Sequence, residues 1–194
     1  MKKTNHQEPI SKKIETAIFG GGCFWCTEAI FSRLKGVIKV TSGYAGGSMA
    51  KPSYQQVSGG KTGHAEVIEI EYDPTVISFK DLLAVFFTSH NPTTLNRQGN
   101  DLGEQYRSII LYQDERQKKT AQGFIRKLTC EKIFDRPIVT EIKPFSEFYP
   151  AESYHQHYYE KHKSQPYCQV MISNKLAKFR KSELKDLMKI ETSF

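Results

Sequence analysis

Short apolar runs alternate with helix-patterned stretches through most of this 194-residue chain, and that alternation restricts the fold more than any other feature. "ETAIFG" (15–20) reads as a buried strand that ends in glycine. From Cys23, "CFWCTEAIFSRLKG" places apolar residues at 25, 29, 30, 31 and 34 and stops at Gly36, which predicts a helix. "VIKVTSGY" (37–44) is a second strand, so the chain opens β-α-β. A strand over 65–72 and a helix from a Ser78 cap through "FKDLLAVFF" follow. "YRSIILY" (106–112), a helix near 114–128 and a strand over 137–143 continue the pattern. Strands interleaved with helices need a mixed sheet with helices packed on it, an α/β two-layer domain.

Two stretches interrupt the alternation. "GYAGGSMAKPSYQQVSGGKTGH" is rich in Gly, Ser and Pro and is expected to be a long loop, as is "SHNPTTLNRQGNDLGEQ". Loops of that length in a compact domain are often functional. "PAESYHQHYYEKH" is expected to be a helix. "NKLAKFRKSELKDLMKI" is amphipathic, with Leu176, Phe179, Leu184 and Leu187 as the stripe that would pack on the body.

The net charge of +7 raises a nucleic-acid reading, which the distribution of charge argues against. Residues 1–13 hold four lysines against Glu8, and residues 175–194 hold six Lys/Arg against Glu183, Asp186 and Glu191. The 161 residues between them carry only +1. The expected organisation is therefore a disordered basic tail (1–13), one catalytic domain (14–174) and a basic amphipathic C-terminal segment (175–194). No apolar run is long enough to span a membrane, and the basic N-terminus leads into no apolar stretch, so no secretory signal is read. A cytoplasmic location with reduced thiols follows as the expectation, with neither nucleic acid nor membrane as a partner, and with a monomer.

Four cysteines in such a chain point to catalysis, metal or plain packing before structural disulfides. "GGGCFWC" (20–26) puts Cys23 where a strand turns into a helix, the glycines permitting the tight turn. Free N–H groups and the macrodipole at a helix start favour a thiolate, so Cys23 is expected to be more acidic than Cys26 one turn on. The plain alternative is that both are small buried hydrophobes. A zinc site needs four ligands, and Cys130, Cys168 and the histidines 155, 157 and 162 lack paired-ligand spacing, so no metal is expected. Phe24 and Trp25, the only tryptophan, suit the walls of a pocket for a small apolar group.

In "HAEVIEIEYDP" the period of two puts Glu66 with Ile68, Ile70 and Tyr72 on one face, while Glu69 and Glu71 mark the solvent side. A carboxyl on a buried face has a raised pKa and stays protonated near neutrality, which makes Glu66 a candidate general acid. The alternative is a buried carboxylate paired with an arginine. Tyr54, Tyr106 and Asp101 lie in or beside the two long loops and are further polar candidates.

Taken together, "GGCFWC", "SGYAGG", "PSYQQVSGGKTGHAE", "GNDLGEQYRS" and "YHQHYY" resemble the A-type peptide methionine sulfoxide reductases, in order, over residues 15 to about 170. The resemblance implies a two-layer sandwich of ferredoxin-like plan and reduction of the S epimer of methionine sulfoxide, free or in oxidised proteins. It implies that Cys23 attacks the sulfoxide sulfur, that Glu66 protonates its oxygen and that Tyr54 and Tyr106 hold that oxygen. Asp101 would help organise the pocket, and Phe24 and Trp25 would hold the methyl group. Cys23 would become a sulfenic acid and then a disulfide, recycled by thioredoxin with no bound cofactor. Proximity favours Cys26 as the resolving thiol, the family position favours Cys168, and a relay through both is the third arrangement; the expectation leans to Cys168. Cys130 is expected to be a bystander. Without the resemblance, a thioredoxin-like disulfide oxidoreductase or a redox-sensing module remains the alternative.

Overall fold

The computed structural model describes residues 13–189. The expected basic tail lies almost wholly outside the described residues, as do the last five positions of the C-terminal segment.

β1 (Glu15–Gly21) leads through a glycine turn into α1 (Phe24–Phe31), and β2 (Val37–Ala45) returns. β3 (Ala65–Tyr72), α3 (Phe79–Ser89) and β6 (Ser108–Tyr112) repeat the unit, with α2 (Tyr54–Ser58) and a small hairpin of β4 (Arg97–Gln98) and β5 (Asp101–Leu102) in the connections. α4 (Glu115–Cys130), β7 (Glu141–Pro144), β8 (Phe148–Pro150), α5 (Tyr158–Lys161) and α6 (Ser173–Arg180) complete the described chain. The six-stranded sheet has the order β7-β6-β1-β3-β2-β8 and is antiparallel except for the β6–β7 pair. Its four central strands, with α1 and α3, have the ferredoxin-like plan. β1 and β2 are not neighbours, since β3 lies between them.

The alternating pattern of β3 works as read on one face. Ile68, Ile70 and Tyr72 are fully buried against α1 and α3. Phe19 of β1 sits at the centre of that layer, 4.9 Å from Phe86 and within 6 Å of Phe31 and Phe79, ring centre to ring centre. Each such buried phenylalanine contributes about 1.5–3 kcal/mol. The opposite face is only partly solvated: Ala65 and Val67 join Ile18, Ala45, Ile109 and Leu111 in a second, smaller core, with Phe145 and Phe148 packed on it.

Several expected boundaries change. The first long loop contains α2, started by a reciprocal cap between Ser53 and Gln56; that S-x-x-Q signal stood in the sequence. Tyr106 ends a 3₁₀ turn rather than beginning a strand. The expected helix over 150–162 is broken. Gln156 is extended and His157 is left-handed at φ 54°. Tertiary hydrogen bonds hold them so: Gln156 Nε2 donates to Ser42 O and Ala151 O, and the buried Glu28 carboxylate accepts from His157 N at 2.7 Å. The C-terminal segment buries Leu176 and Phe179, packs Leu184 and Leu187 partly, and is tied to the end of α1 by Lys35 N–H to Leu187 O at 2.8 Å.

Candidate active site

The site lies where β1 ends, β3 begins and α1 starts. Gly20 passes so close to β3 that a Cβ there would stand 2.8 Å from Glu66 O, and Gly22 turns the chain with φ +92°. That turn delivers Cys23 to the cap position of α1, with Cys26 N–H bonded to Cys23 O at 3.1 Å. The α1 start also reaches Glu66, whose Oε2 accepts from Phe24 N–H at 3.0 Å.

Glu66 is 2% exposed. It takes its hydrogen bond from backbone rather than from an arginine. Burial pushes its carboxyl up to about 8, negative charge on Asp101 and Cys26 adds to the rise, and the Phe24 N–H opposes it. Glu66 is thus a neutral acid at neutral pH.

The two thiols differ from the expected order. Burial, a hydrogen bond to Cys26 and the charge of Glu66 push Cys23 well above the usual thiol range. Cys26 is drawn down to about 7, first by the hydrogen bond from Cys23, with Lys175 and Tyr167 assisting against burial. The helix start alone suggested the reverse. Cys23 faces a carboxyl in a closed setting, whereas Cys26 faces the Lys175 ammonium; the Tyr167 hydroxyl reaches both sulfurs and is 3.8 Å from that of Cys26. The pair therefore shares a proton, with Cys23 as donor and Cys26 as the readier anion.

Tyr54 and Tyr106 both lie within electrostatic reach of Glu66 and Cys23. Burial raises the pKa of both hydroxyls. Asp101, half-buried on the small hairpin, has its carboxyl raised by burial and accepts from Tyr167 Oη at 3.5 Å. Trp25 stacks on Tyr158 at 3.6 Å and 6°, meets Tyr167 edge-on, and donates its indole N–H to His155 Nδ1 at 3.1 Å. Phe24 is enclosed beside Tyr44 and His155.

Cys168 is fully buried at the start of a π-helical stretch (Cys168–Ile172), and its thiol is raised by burial and by the neighbouring Cys26. Cys130 is exposed at the last residue of α4, away from this group. All four cysteines are free thiols. Among the described residues no cluster of His, Cys, Asp or Glu is arranged to hold a metal ion.

Sequence reasoning gave no role to four residues that shape the site. Tyr167 links Asp101 to Cys26. Glu152 accepts from Tyr54 N–H and from Tyr44 Oη, both at 2.9 Å, and so fixes the start of α2. His155 orients the indole, and Lys175 supplies the nearby positive charge. His155 stood inside a motif that was singled out ("YHQHYY"), and Tyr167 stands next to the candidate Cys168. Nothing local marks Glu152 or Lys175.

A thiol pair, a neutral buried carboxyl and two tyrosine hydroxyls within reach of one another define a cysteine-dependent oxidoreductase. The model of the family described as peptide methionine sulfoxide reductase matches residues 15–188. The MsrA of Chromobacterium violaceum is 56% identical over 87% of this chain and 96% of its own, and that of Saccharolobus solfataricus is 54% identical over 87% and 94%. The crystal structure of reduced Mxr1 from Saccharomyces cerevisiae has a TM-score of 0.74 at 32% identity, covering 84% of this chain and 94% of that one. The chain belongs to the peptide methionine sulfoxide reductase family. The match runs past residue 170, where the motifs ended, into the C-terminal segment.

Proposed function

We propose that this protein reduces the S epimer of methionine sulfoxide, free and in oxidised proteins, through Cys23, and is recycled by thioredoxin. The observation that carries the reading is the meeting of a thiol and a buried neutral carboxyl at one point. A sulfoxide oxygen leaves only when protonated, so a sulfur nucleophile and an acid must address the same group.

The Cys23 proton passes along its hydrogen bond to Cys26, and the resulting Cys23 thiolate attacks the sulfoxide sulfur. Glu66 gives its proton to the oxygen, which Tyr54 and Tyr106 hold. The protonated oxygen then passes from the methionine sulfur to the Cys23 sulfur as the bond between the two sulfurs breaks, so methionine leaves reduced by two electrons and Cys23 becomes a sulfenic acid. Phe24 and Trp25 receive the methyl group, and Asp101 helps orient the substrate. Condensation with a second thiol then releases water and forms a disulfide. The hydrogen bond between Cys23 and Cys26, and the proximity of Cys168 to Cys26, favour a relay: Cys23–Cys26 first, then exchange to Cys26–Cys168. The sequence held this relay open beside a direct bond from Cys23 to Cys26 or to Cys168, with a lean to Cys168, and the two proximities support the relay.

Free thiols fit a cytoplasmic, reducing setting, and a chain whose charge sits at its ends fits action without nucleic acid. Among the described residues no helix is long and apolar enough to cross a membrane. The test is one turnover without reductant on a methionyl peptide carrying each sulfoxide epimer. The S epimer is consumed and the R epimer is not, and Cys23→Ser consumes neither. Turnover by Cys23→Ser would overturn the assignment.

A further inference from the structure

Beside the redox site is a cleft of about 700 Å³ that sulfoxide chemistry does not use. Phe87, Phe134 and Phe179 give it an apolar lining, and Arg136, Lys175 and Lys178 stand around it against one acid, Asp135. Two of the protein's other arginines are paired, Arg107 with Glu141 and Arg116 with Glu15. Among the described residues no ion pair engages Arg136, Lys175 or Lys178. His90, also on the wall, is uncharged, since burial lowers its pKa to about 4. The cleft is therefore net cationic, three cations against one acid on its wall.

Its position ties it to the thiols. Lys175 is close enough to act on Cys26 and Asp101. Gln98, on the wall, pairs with Asp101 across the small hairpin and packs onto Gly22, the residue before Cys23. Lys175 and Lys178 lie on α6, which continues directly from the stretch that begins at Cys168.

Cys23, Cys26 and Cys168 are at most 8% exposed, so a macromolecule that reduces a disulfide among them must seat on the adjoining surface. Oxidised protein substrates share no common charge, and free methionine sulfoxide needs no such cleft. One reductant, by contrast, is used in every cycle, and a fixed charge pattern would select and steer it. We infer that this cleft docks the protein reductant by taking an acidic, partly apolar segment next to its dithiol. The inference rests on the reading of the site as a thioredoxin-recycled reductase.

The test uses Arg136→Glu together with Lys178→Glu, both exposed positions outside the catalytic group. Sulfoxide reduction is measured with dithiothreitol and, separately, with thioredoxin at low and high salt. The double variant keeps wild-type turnover with dithiothreitol, while its KM for thioredoxin rises tenfold or more. Wild-type kcat/KM for thioredoxin falls as salt increases, and the variant loses that dependence; Arg136→Lys with Lys178→Arg behaves as wild type. A thioredoxin KM within twofold of wild type, or equal losses with both reductants, overturns the docking assignment. A wild-type enzyme inactive with dithiothreitol would instead overturn the reductase reading.

Discussion

Replacing Glu66 with glutamine removes one proton from the site and little else. The amide keeps an oxygen for the Phe24 N–H, now 3.0 Å from the carboxylate, and keeps the volume of a side chain that is 2% exposed. With a pKa of about 8 the carboxyl is about 90% protonated at pH 7, where one at the ordinary 4.5 would be about 0.3% protonated. Burial thus multiplies the available acid about 300-fold, and general acid catalysis contributes roughly 10²–10⁴. Tyr54 and Tyr106 remain to hold the oxygen, so the loss should sit at the lower end, about 10²–10³. The assay is stopped-flow single turnover on a methionyl sulfoxide peptide, followed by the fluorescence of Trp25. Wild-type rates should fall as pH rises past about 8, and the variant should lose that descending limb. Stability supplies an independent reading. A carboxyl whose folded pKa is raised binds its proton more tightly in the native state, so wild-type stability is greatest below about 4.5 and declines as pH rises to about 8. Each pH unit in that window costs at most about 1.4 kcal/mol, so Glu66→Gln should gain melting temperature relative to wild type between pH 5 and 8. A single-turnover rate within threefold of wild type, with the alkaline limb intact, would refute the acid role.

Under the relay, peptide mapping after one turnover should find Cys23–Cys26 in Cys168→Ser and Cys26–Cys168 in wild type, never a bond to Cys130. Cys26→Ser removes the acceptor of the Cys23 proton, so it should slow the sulfoxide step as well as disulfide formation, and wild-type recycling in that variant would return the role to Cys168 alone. Tyr167→Phe removes the hydroxyl 3.8 Å from the Cys26 sulfur, so the pH midpoint for alkylation of Cys26 should move upward from about 7; an unmoved midpoint would show that the hydroxyl does not act on that thiol. Gly22→Ala must adopt φ +92° with its Cβ 2.6–2.8 Å from Gln98, so it should lose about 1–3 kcal/mol in urea unfolding along with activity. Unchanged stability would mean that the turn is not strained by a side chain.

The alternation of strands and helices, the glycine turn before Cys23 and the apolar face that carries Glu66 were all present in the sequence by itself. Each is local: a period of two or 3.6 and a residue that permits a turn act over a few neighbouring positions. The same local logic placed Glu66 on a buried face, set by the residues two and four positions on, and burial there raises its carboxyl. Tertiary structure decided what distant segments bring together. The surroundings of the thiol pair are one case: Lys175 and Tyr167 reach it from more than 140 residues away and draw Cys26 down, while burial and Glu66 push Cys23 up. The helix expected over 150–162 was broken because Glu28 and Ser42 claim its backbone and side-chain hydrogen bonds, a competition invisible to propensity. Sheet order belongs to the same class. Sequence shows that β1, β2 and β3 exist, but inserting β3 between the other two depends on how their apolar faces are shared with α1 and α3 in the folded core. Charge and burial act through space, and only the folded chain fixes those distances.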